Sequence, residues 1–525
     1  MNKKIFLCIH GHFYQPPREN AWTNEIETQP SAAPFHDWNE RILQECYKPN
    51  GEAVIVDKHD TVINRINNYE YFNFNFGPSL LHWIKNKHPG TYTNIIEADK
   101  KSTEVNGGHG NAIAMIYNHI IMPLANHRDK ITQIKWGLAD FKLHFGRDSE
   151  GIWLPETACN SETLEALIEE NVKYTILDPS QAQFIRKINY ESDTEDETSS
   201  IEIENIEWTD VSTGNIDTRI SYRYYSEAEE EKFIDIIFYD GPLSKNIAFD
   251  DHIYSADKLF NRIKQVPLNE SDENNLISVA VDGETFGHHK RYTERTLSYL
   301  FSEILPSSDY ENVNFGNYLS ENEPLFEVKV KDGDDGNGTS WSCQHGVGRW
   351  KENCGCGRTD EYPSQEWRKP LRESLNFLRD EHALLFESAG SQFLNNVWDA
   401  RNDYINLVFE ESYETYLENR KRFFKKHSKK KLTEEEKDLC IKLLEMEKFS
   451  MLMFTSCGWF FSDISGIETL QILEYAARSM EISREITGID IEKIFLEKLS
   501  VAKSNKEEFA DGKDLYLKKV KINAN

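Results

Sequence analysis

The first half of the chain alternates short apolar runs with stretches whose apolar positions recur at helical spacing. Ile5–Ile9 is apolar throughout and stops at a polar cluster, the pattern of a strand buried on both faces. The same pattern predicts strands at Thr91–Ile96, Gly151–Leu154, Tyr174–Leu177, Phe233–Tyr239 and Leu276–Val281. Helical patterns lie between several of these, over Asn111–Ala125 and Glu162–Glu170. The second follows Asn160 and Ser161, good N-cap residues, and ends at Asn171. Strands alternating with helices indicate parallel βα units. Glu191–Tyr225 interrupts this rhythm: Glu191–Ser200 is acidic and polar, the composition of a solvated loop. Ile201–Trp208 and Asp217–Tyr225 alternate and predict a hairpin excursion over residues 188–230. A Gly/Asp-rich break at Lys331–Ser340 predicts a domain boundary. Beyond it, Leu371–Glu387, Trp398–Glu418, Thr433–Ser456 and Ile467–Ile486 predict helices, and Thr433 with Glu436 forms a capping-box signature. The expected plan is an α/β domain over residues 1–330 and a helical one over residues 340–525.

Composition narrows the function. The chain is 39% hydrophobic and 12% aromatic, enough for a large core, which excludes disorder. Sixty Lys+Arg against 89 Asp+Glu leave a net charge of −29. Such a field repels phosphate backbones and anionic membranes, so no nucleic-acid or membrane partner is expected. The basic stretch Lys421–Lys431 reads as an exposed helix end and its loop, where cations suit the helix dipole. No apolar stretch is long enough to span a bilayer, the N-terminus lacks the pattern of a signal peptide, and eight Cys in 525 residues are too sparse for a disulfide scaffold. The expected location is the cytoplasm and the expected partner is neutral; oligomeric state is open.

Three polar clusters each terminate an apolar run: His10-Gly-His12-Phe-Tyr14-Gln15-Pro16, Gly151-Ile-Trp153-Leu-Pro-Glu156 and Asp282-Gly-Glu284-Thr-Phe-Gly-His288-His289. In βα barrels the loops after the strands converge on one mouth, so these residues are candidates for a single site. Two carboxylates on different strands divide acid and base work when their surroundings separate their pKa values. Taken singly, each is equally readable as a strand-end cap or a structural ion pair.

The order of these clusters resembles family 57 of the glycoside hydrolases. His10-x-His12-x-Tyr14-Gln15-Pro16 resembles its first motif, Glu104-Val-Asn-Gly107-Gly108 its second, Gly151–Glu156 its third and Asp282–His288 its fourth. Ser102-Thr103 stand where the family has Gln-Ile, and no fifth motif is found. The resemblance implies an incomplete (β/α)7 barrel followed by a helical domain that helps close the site. It implies retaining chemistry on α-glucan or α-linked oligosaccharide without a cofactor or catalytic metal. Glu156 would be the nucleophile and Asp282 the acid/base, with His10, His12, Gln15, Trp153, Glu104 and Glu284 about the sugar. Phe238–Ser244 resembles a further family segment that carries Asp and Ser before a helix. The C-terminal half resembles an uncharacterised domain attached to such barrels, through Ser340–Trp350 and Phe454–Asp463.

Those two segments add candidates. Trp341, Arg349 and Trp350 suit stacking on and bonding a glucan, as do Trp459 and Asp463, for which helix-core packing is an equal alternative. His288 is read toward the site, and His109 and His119 as structural. Cys343, His345, Cys354 and Cys356 are soft ligands, but C-x-H-x8-C-x-C is not a standard finger, so a loop folded over the mouth without metal is expected. Two other classes compete: a glycan-binding protein on a disabled barrel, and a metal-dependent hydrolase, which commonly needs an Asp that the first strand lacks.

Overall fold

The computed structural model describes residues 4–57, 59, 61–188, 207–229, 231–269, 274–409 and 412–521. Seven parallel strands follow one another around a barrel: β1 (Ile5–Phe13), β2 (Asn73–Phe76), β3 (Ala114–Met115), β4 (Gly151–Trp153), β5 (Tyr174–Leu177), β6 (Phe233–Phe238) and β7 (Asn275–Asp282). β1 pairs with both β7 and β2, and β3 to β6 pair in order. A single parallel bridge, Phe74 to Ala112, joins β2 to β3. Between β6 and β7 the contact is looser: Asp240 N–H donates to the Ser278 carbonyl at 2.8 Å, and Ser278 Oγ to that of Phe238 at 3.3 Å. The ring is thus closed at two seams, β2 to β3 and β6 to β7, by isolated bonds instead of ladders.

Strand periodicity decides what enters the barrel. Phe6 and Cys8 of β1 and Leu276 and Ala280 of β7 belong to one buried cluster with Trp153, Tyr174, Ile176, Ile237 and Tyr239. Leu7, Ile9, Ile277 and Val279 belong to the other, toward the helices. Side chains alternate along a strand, so His10 and His12 continue the inner row of β1, and Asp282 that of β7. The apolar run and the polar groups at its end are consecutive parts of one row.

Three predicted elements are corrected. Thr91–Ile96 lies in a helix, Pro89–Val105, whose buried Thr91, Ile95, Ala98, Asp99 and Ser102 recur at helical spacing. Asn111–Ala125 is no helix: it holds β3 and a 3-10 turn at Met122–Leu124, with Pro123 inside the turn. The run is apolar on all sides, which periodicity cannot assign. Trp398–Glu418 is broken into Val397–Asp403, Ile405–Val408 and the start of Tyr413–His427. In the excursion, Ser221–Tyr225 runs antiparallel to β6 and touches Phe326–Val330; that strand pairs with Ala182–Lys187, which pairs with Thr209–Asp210. It extends the barrel sheet. Glu191–Ser200 and most of Ile201–Trp208 lie outside the described residues.

The C-terminal helices include Arg368–Gly390, Glu434–Leu452 and Ile467–Thr487, and the capping box of Thr433 and Glu436 forms. They are fastened to the barrel helix His127–Phe145 through buried Arg401. Its guanidinium meets Asp129 at 2.7 Å and Glu447 at 2.9 Å. Trp136 Nε1 donates to the Asn402 carbonyl at 3.0 Å beside it. Removing one partner of such a buried pair would leave an uncompensated charge, which is strongly destabilising. Among the described residues no helix is long and apolar enough to cross a membrane.

Candidate active site

The mouth is built on the ends of β1, β3, β4 and β7. His10 lies flat on the Trp153 indole, centroids 4.8 Å apart, and its Nδ1 faces Asn73 Oδ1 at 2.8 Å. His12 stacks on the same indole at 5.0 Å, and Asn75 sits between the two rings. Burial drives both imidazoles down, His10 to about 4 and His12 to about 3, so both are neutral at ordinary pH. Both rings, and the Trp153 indole they stack on, are buried, so they form an uncharged layer that packs the mouth and not a surface open to solvent.

Glu156 sits in a 3-10 turn just after β4 with φ +59°, and Thr157 follows at φ +49°. Two successive non-glycine residues in the left-handed region cost about 1–3 kcal/mol each and persist only where surrounding structure holds them. Here the holding is visible. Trp341 N–H donates to the Glu156 carbonyl at 3.0 Å, and Gln181 Nε2 to that of Thr157 at 2.8 Å. The Glu156 carboxylate Oε2 accepts from Trp341 Nε1 at 3.0 Å and from Ser342 Oγ at 2.6 Å. Burial raises its pKa, while Ser342, Trp341 and the Arg349 charge oppose the rise.

Asp282 ends β7 with one face exposed to the mouth and protein around its others. That enclosure, followed by repulsion from Glu156, pushes its pKa up to about 7; solvent at the open face screens part of the effect. The two carboxylates therefore sense each other, and Asp282 is the one that keeps a proton. Glu284 is buried, accepting from Tyr47 Oη at 2.6 Å and Tyr14 N–H at 3.1 Å, and burial pushes it up to about 8.

Several groups at the mouth were not anticipated. His119 follows β3 at φ +53°, stacks on Tyr14 with centroids 3.7 Å apart, and meets His12 Nε2 at 3.2 Å. Its Nδ1 reaches Ser456 Oγ at 2.7 Å, and Cys457 lies by Tyr14 Oη at 3.9 Å. The segment Phe454–Asp463 thus reaches this cluster through Ser456 and Cys457, not through the Trp459 and Asp463 expected. Ser342 and Tyr47 were also missed. The sequence reads His119 as structural; with β3 read as helix, no strand end placed it at the mouth.

Other expected residues are placed elsewhere. Glu104 is exposed at the last turn of the helix Pro89–Val105. A helix leading into a parallel strand ends at that strand's start, which is the floor of the barrel and not its mouth. Trp350 is buried, its carbonyl accepting from Arg372 Nε at 2.9 Å. Trp459 is buried too, with Arg372 over its face at 4.0 Å and its Nε1 on the Arg368 carbonyl. Neither offers a platform to a sugar. Asp463 accepts from Ser465 and Asn505 N–H and from Ser504 Oγ, closing a loop. His288 is paired with Glu45, which also holds Arg41 and Arg291. Gln15 accepts from Arg18 at 2.8 Å and braces its own loop. Arg349 lies over the Phe460 ring at 4.3 Å and acts on Glu156 through charge. Asp240 caps the helix Gly241–Phe249, and Ser244 Oγ accepts from Ala280 N–H. Trp341 stays at the mouth, edge-on to Trp153 at 5.2 Å. Cys343, His345, Cys354 and Cys356 do converge, their donor atoms within 4.8 Å of one another.

Comparison with known proteins identifies the family and the fold. Residues 364–524 match a domain of unknown function, DUF3536, and residues 2–327 match glycosyl hydrolase family 57. No curated protein matches the chain. An exo-type maltose-forming amylase from Pyrococcus sp. ST04 superposes with a TM-score of 0.64 at 14% identity, over 94% of this chain and 82% of that one. A family 57 branching enzyme from Thermococcus kodakaraensis gives 0.51 at 14% identity, over 96% and 94%. A 4-alpha-glucanotransferase from Thermococcus litoralis gives 0.52 at 14%, over 92% and 60%. At such identities the likeness is one of fold. The match over residues 2–327, more than half of the chain, carries the assignment: this protein belongs to glycosyl hydrolase family 57.

Proposed function

We propose that the chain is a retaining glycoside hydrolase or transglycosylase acting on α-linked glucan, with Glu156 as nucleophile and Asp282 as general acid/base. The observation that carries the proposal is the asymmetry of the two carboxylates. Trp341 and Ser342 donate to Glu156 and favour its ionised form, whereas the protein enclosing part of Asp282 and the Glu156 charge raise the Asp282 pKa to about 7, less what solvent at its exposed face screens. A Glu156 oxygen attacks the anomeric carbon as the bond to the leaving oxygen breaks, and Asp282 gives that oxygen its proton. Water or a sugar hydroxyl then gives its proton to Asp282 and attacks the same carbon, which frees Glu156. His10, His12 and Trp153 form a buried, uncharged support at the mouth, and an uncharged substrate needs no electrostatic steering. The maltose-forming, branching and glucan-transferring activities named for the structural neighbours fit an α-glucan.

Incubation with maltooligosaccharides tests the reading: α-configured products are expected at early times by NMR. Redistributed lengths with conserved linkages mean transfer, and rising reducing ends mean hydrolysis; β-configured first products contradict a double displacement. Ser342→Ala should lower kcat/KM about ten- to hundredfold, the worth of one charge-assisted bond. Because that bond favours ionised Glu156, its loss raises the Glu156 pKa and moves the acid limb of the pH profile upward. An unmoved limb would show that Ser342 does not act on the nucleophile.

A further inference from the structure

The loop that brings Trp341 and Ser342 to Glu156 is folded about a second cluster. Cys343 Sγ is 4.0 Å from Cys354 Sγ and 3.8 Å from Cys356 Sγ, and Cys356 Sγ is 3.5 Å from His345 Nδ1. A disulfide brings sulfurs to about 2.05 Å, so these separations belong to another arrangement. A tetrahedral zinc with Zn–S of about 2.3 Å and Zn–N of about 2.0–2.1 Å sets sulfurs about 3.8 Å apart and sulfur from nitrogen about 3.6 Å. Three of the six edges of that tetrahedron are matched, and all four donor atoms lie within 4.8 Å of one another.

Local backbone suits the C-x-C pair to holding one ion. Gly355, between the two cysteines, has φ +87°, a turn open to glycine that returns both side chains to one side. Cys356 N–H then donates to Cys354 Sγ at 3.4 Å, the kind of outer bond that steadies a metal thiolate.

Charge gives an independent indication. Arg368 is fully buried beside the cluster, its Nη1 at 3.7 Å from Cys354 Sγ. Its other partners are neutral: Gln365 Oε1 and the carbonyls of Cys356, Phe460 and Phe461. Among the described residues no carboxylate pairs with it, and a buried guanidinium without an anion is costly. Three thiolates and a neutral imidazole around Zn²⁺ carry a net charge of −1, the missing counter-ion.

We propose that Cys343, His345, Cys354 and Cys356 bind one zinc ion, a structural site that fixes the 340–358 loop over the barrel mouth. Three S–H groups ionise on binding and release three protons to solvent; His345 coordinates through Nδ1 with its proton on Nε2, and no redox change occurs. Four protein ligands leave no open position, so the ion is a fastener and not a catalyst. Ser342 precedes Cys343 directly, so the site would hold both donors on Glu156; that consequence alone rests on the function proposed above.

The full chain, produced under reducing conditions with zinc in the medium, should contain about one zinc per chain by mass spectrometry of the metal. Cobalt(II) exchange should give the intense visible bands of a tetrahedral thiolate site. Cys356→Ser should lose the metal. His345→Cys should keep it with an altered cobalt spectrum, a response that thiols serving only to pack the loop would not give. Wild-type protein with zinc below about a tenth per chain and freely titrating thiols would overturn the proposal. So would an intact mass two hydrogens light, with a disulfide mapped to these cysteines. Neither readout uses catalytic activity, so failure of the enzymatic reading is scored separately. Where activity is measurable, zinc removal should lower it and zinc should restore it.

Discussion

Glu156→Gln is expected to lower kcat by at least about 10⁴-fold while leaving the fold intact. The amide oxygen still accepts from Trp341 Nε1 and Ser342 Oγ, so the loop contacts at 3.0 and 2.6 Å survive. What disappears is the charge that attacks the anomeric carbon. Glu156→Gly extends the test, since azide can occupy the vacated position and should restore turnover as a glycosyl azide. Activity of Glu156→Gln within tenfold of the parent would exclude Glu156 as nucleophile.

Asp282→Asn is expected to cost roughly 10²–10⁴-fold on glucan, where the leaving oxygen needs a proton. It should cost far less in the first step with a glycosyl fluoride, whose leaving group needs little help. The parent pH profile should be a bell: its acid limb requires ionised Glu156, and its alkaline limb, near 7, reports loss of the Asp282 proton. Asp282→Asn should abolish the alkaline limb. Stability should move the other way. The folded pKa of Asp282 is raised, so the native state binds more protons than the unfolded one between the ordinary carboxylate range and about 7, and stability falls as pH rises through that window. Asparagine removes that cost, so the Tm gain should be full above about pH 7 and shrink toward about pH 4. Equal Tm values at both ends would mean that Asp282 titrates normally.

Residues that end a long apolar run were legible in the sequence. Strand β1 has nine residues and a clear row, so His10 and His12 could be placed at its end; β7 placed Asp282 and Glu284 in the same way. β3 has two residues, too few to show a period, so nothing in the pattern moved His119 from a structural reading to the mouth. Glu104 shows the converse error: a motif can match in order while its carboxylate ends a helix at the floor of the barrel. Trp350 and Trp459 were named as sugar platforms from residue type, but only packing tells an aromatic under the mouth from one lining it. The Cys/His cluster was discounted on spacing, since loop closure through Gly355 is a property of backbone angle and not of residue count. Helical content of the C-terminal half was readable, whereas its contribution at Ser456 and Cys457 came from two small residues with no distinguishing pattern.

The central claim is that Glu156 becomes covalently bound to sugar. Asp282→Asn, mixed with a maltosyl fluoride and quenched rapidly, should accumulate a glycosyl-enzyme whose label maps by peptide mass spectrometry to the segment holding Glu156. The double variant with Glu156→Gln should carry none. Label on another residue, or turnover of the fluoride with no labelled protein and inverted product, would contradict the account.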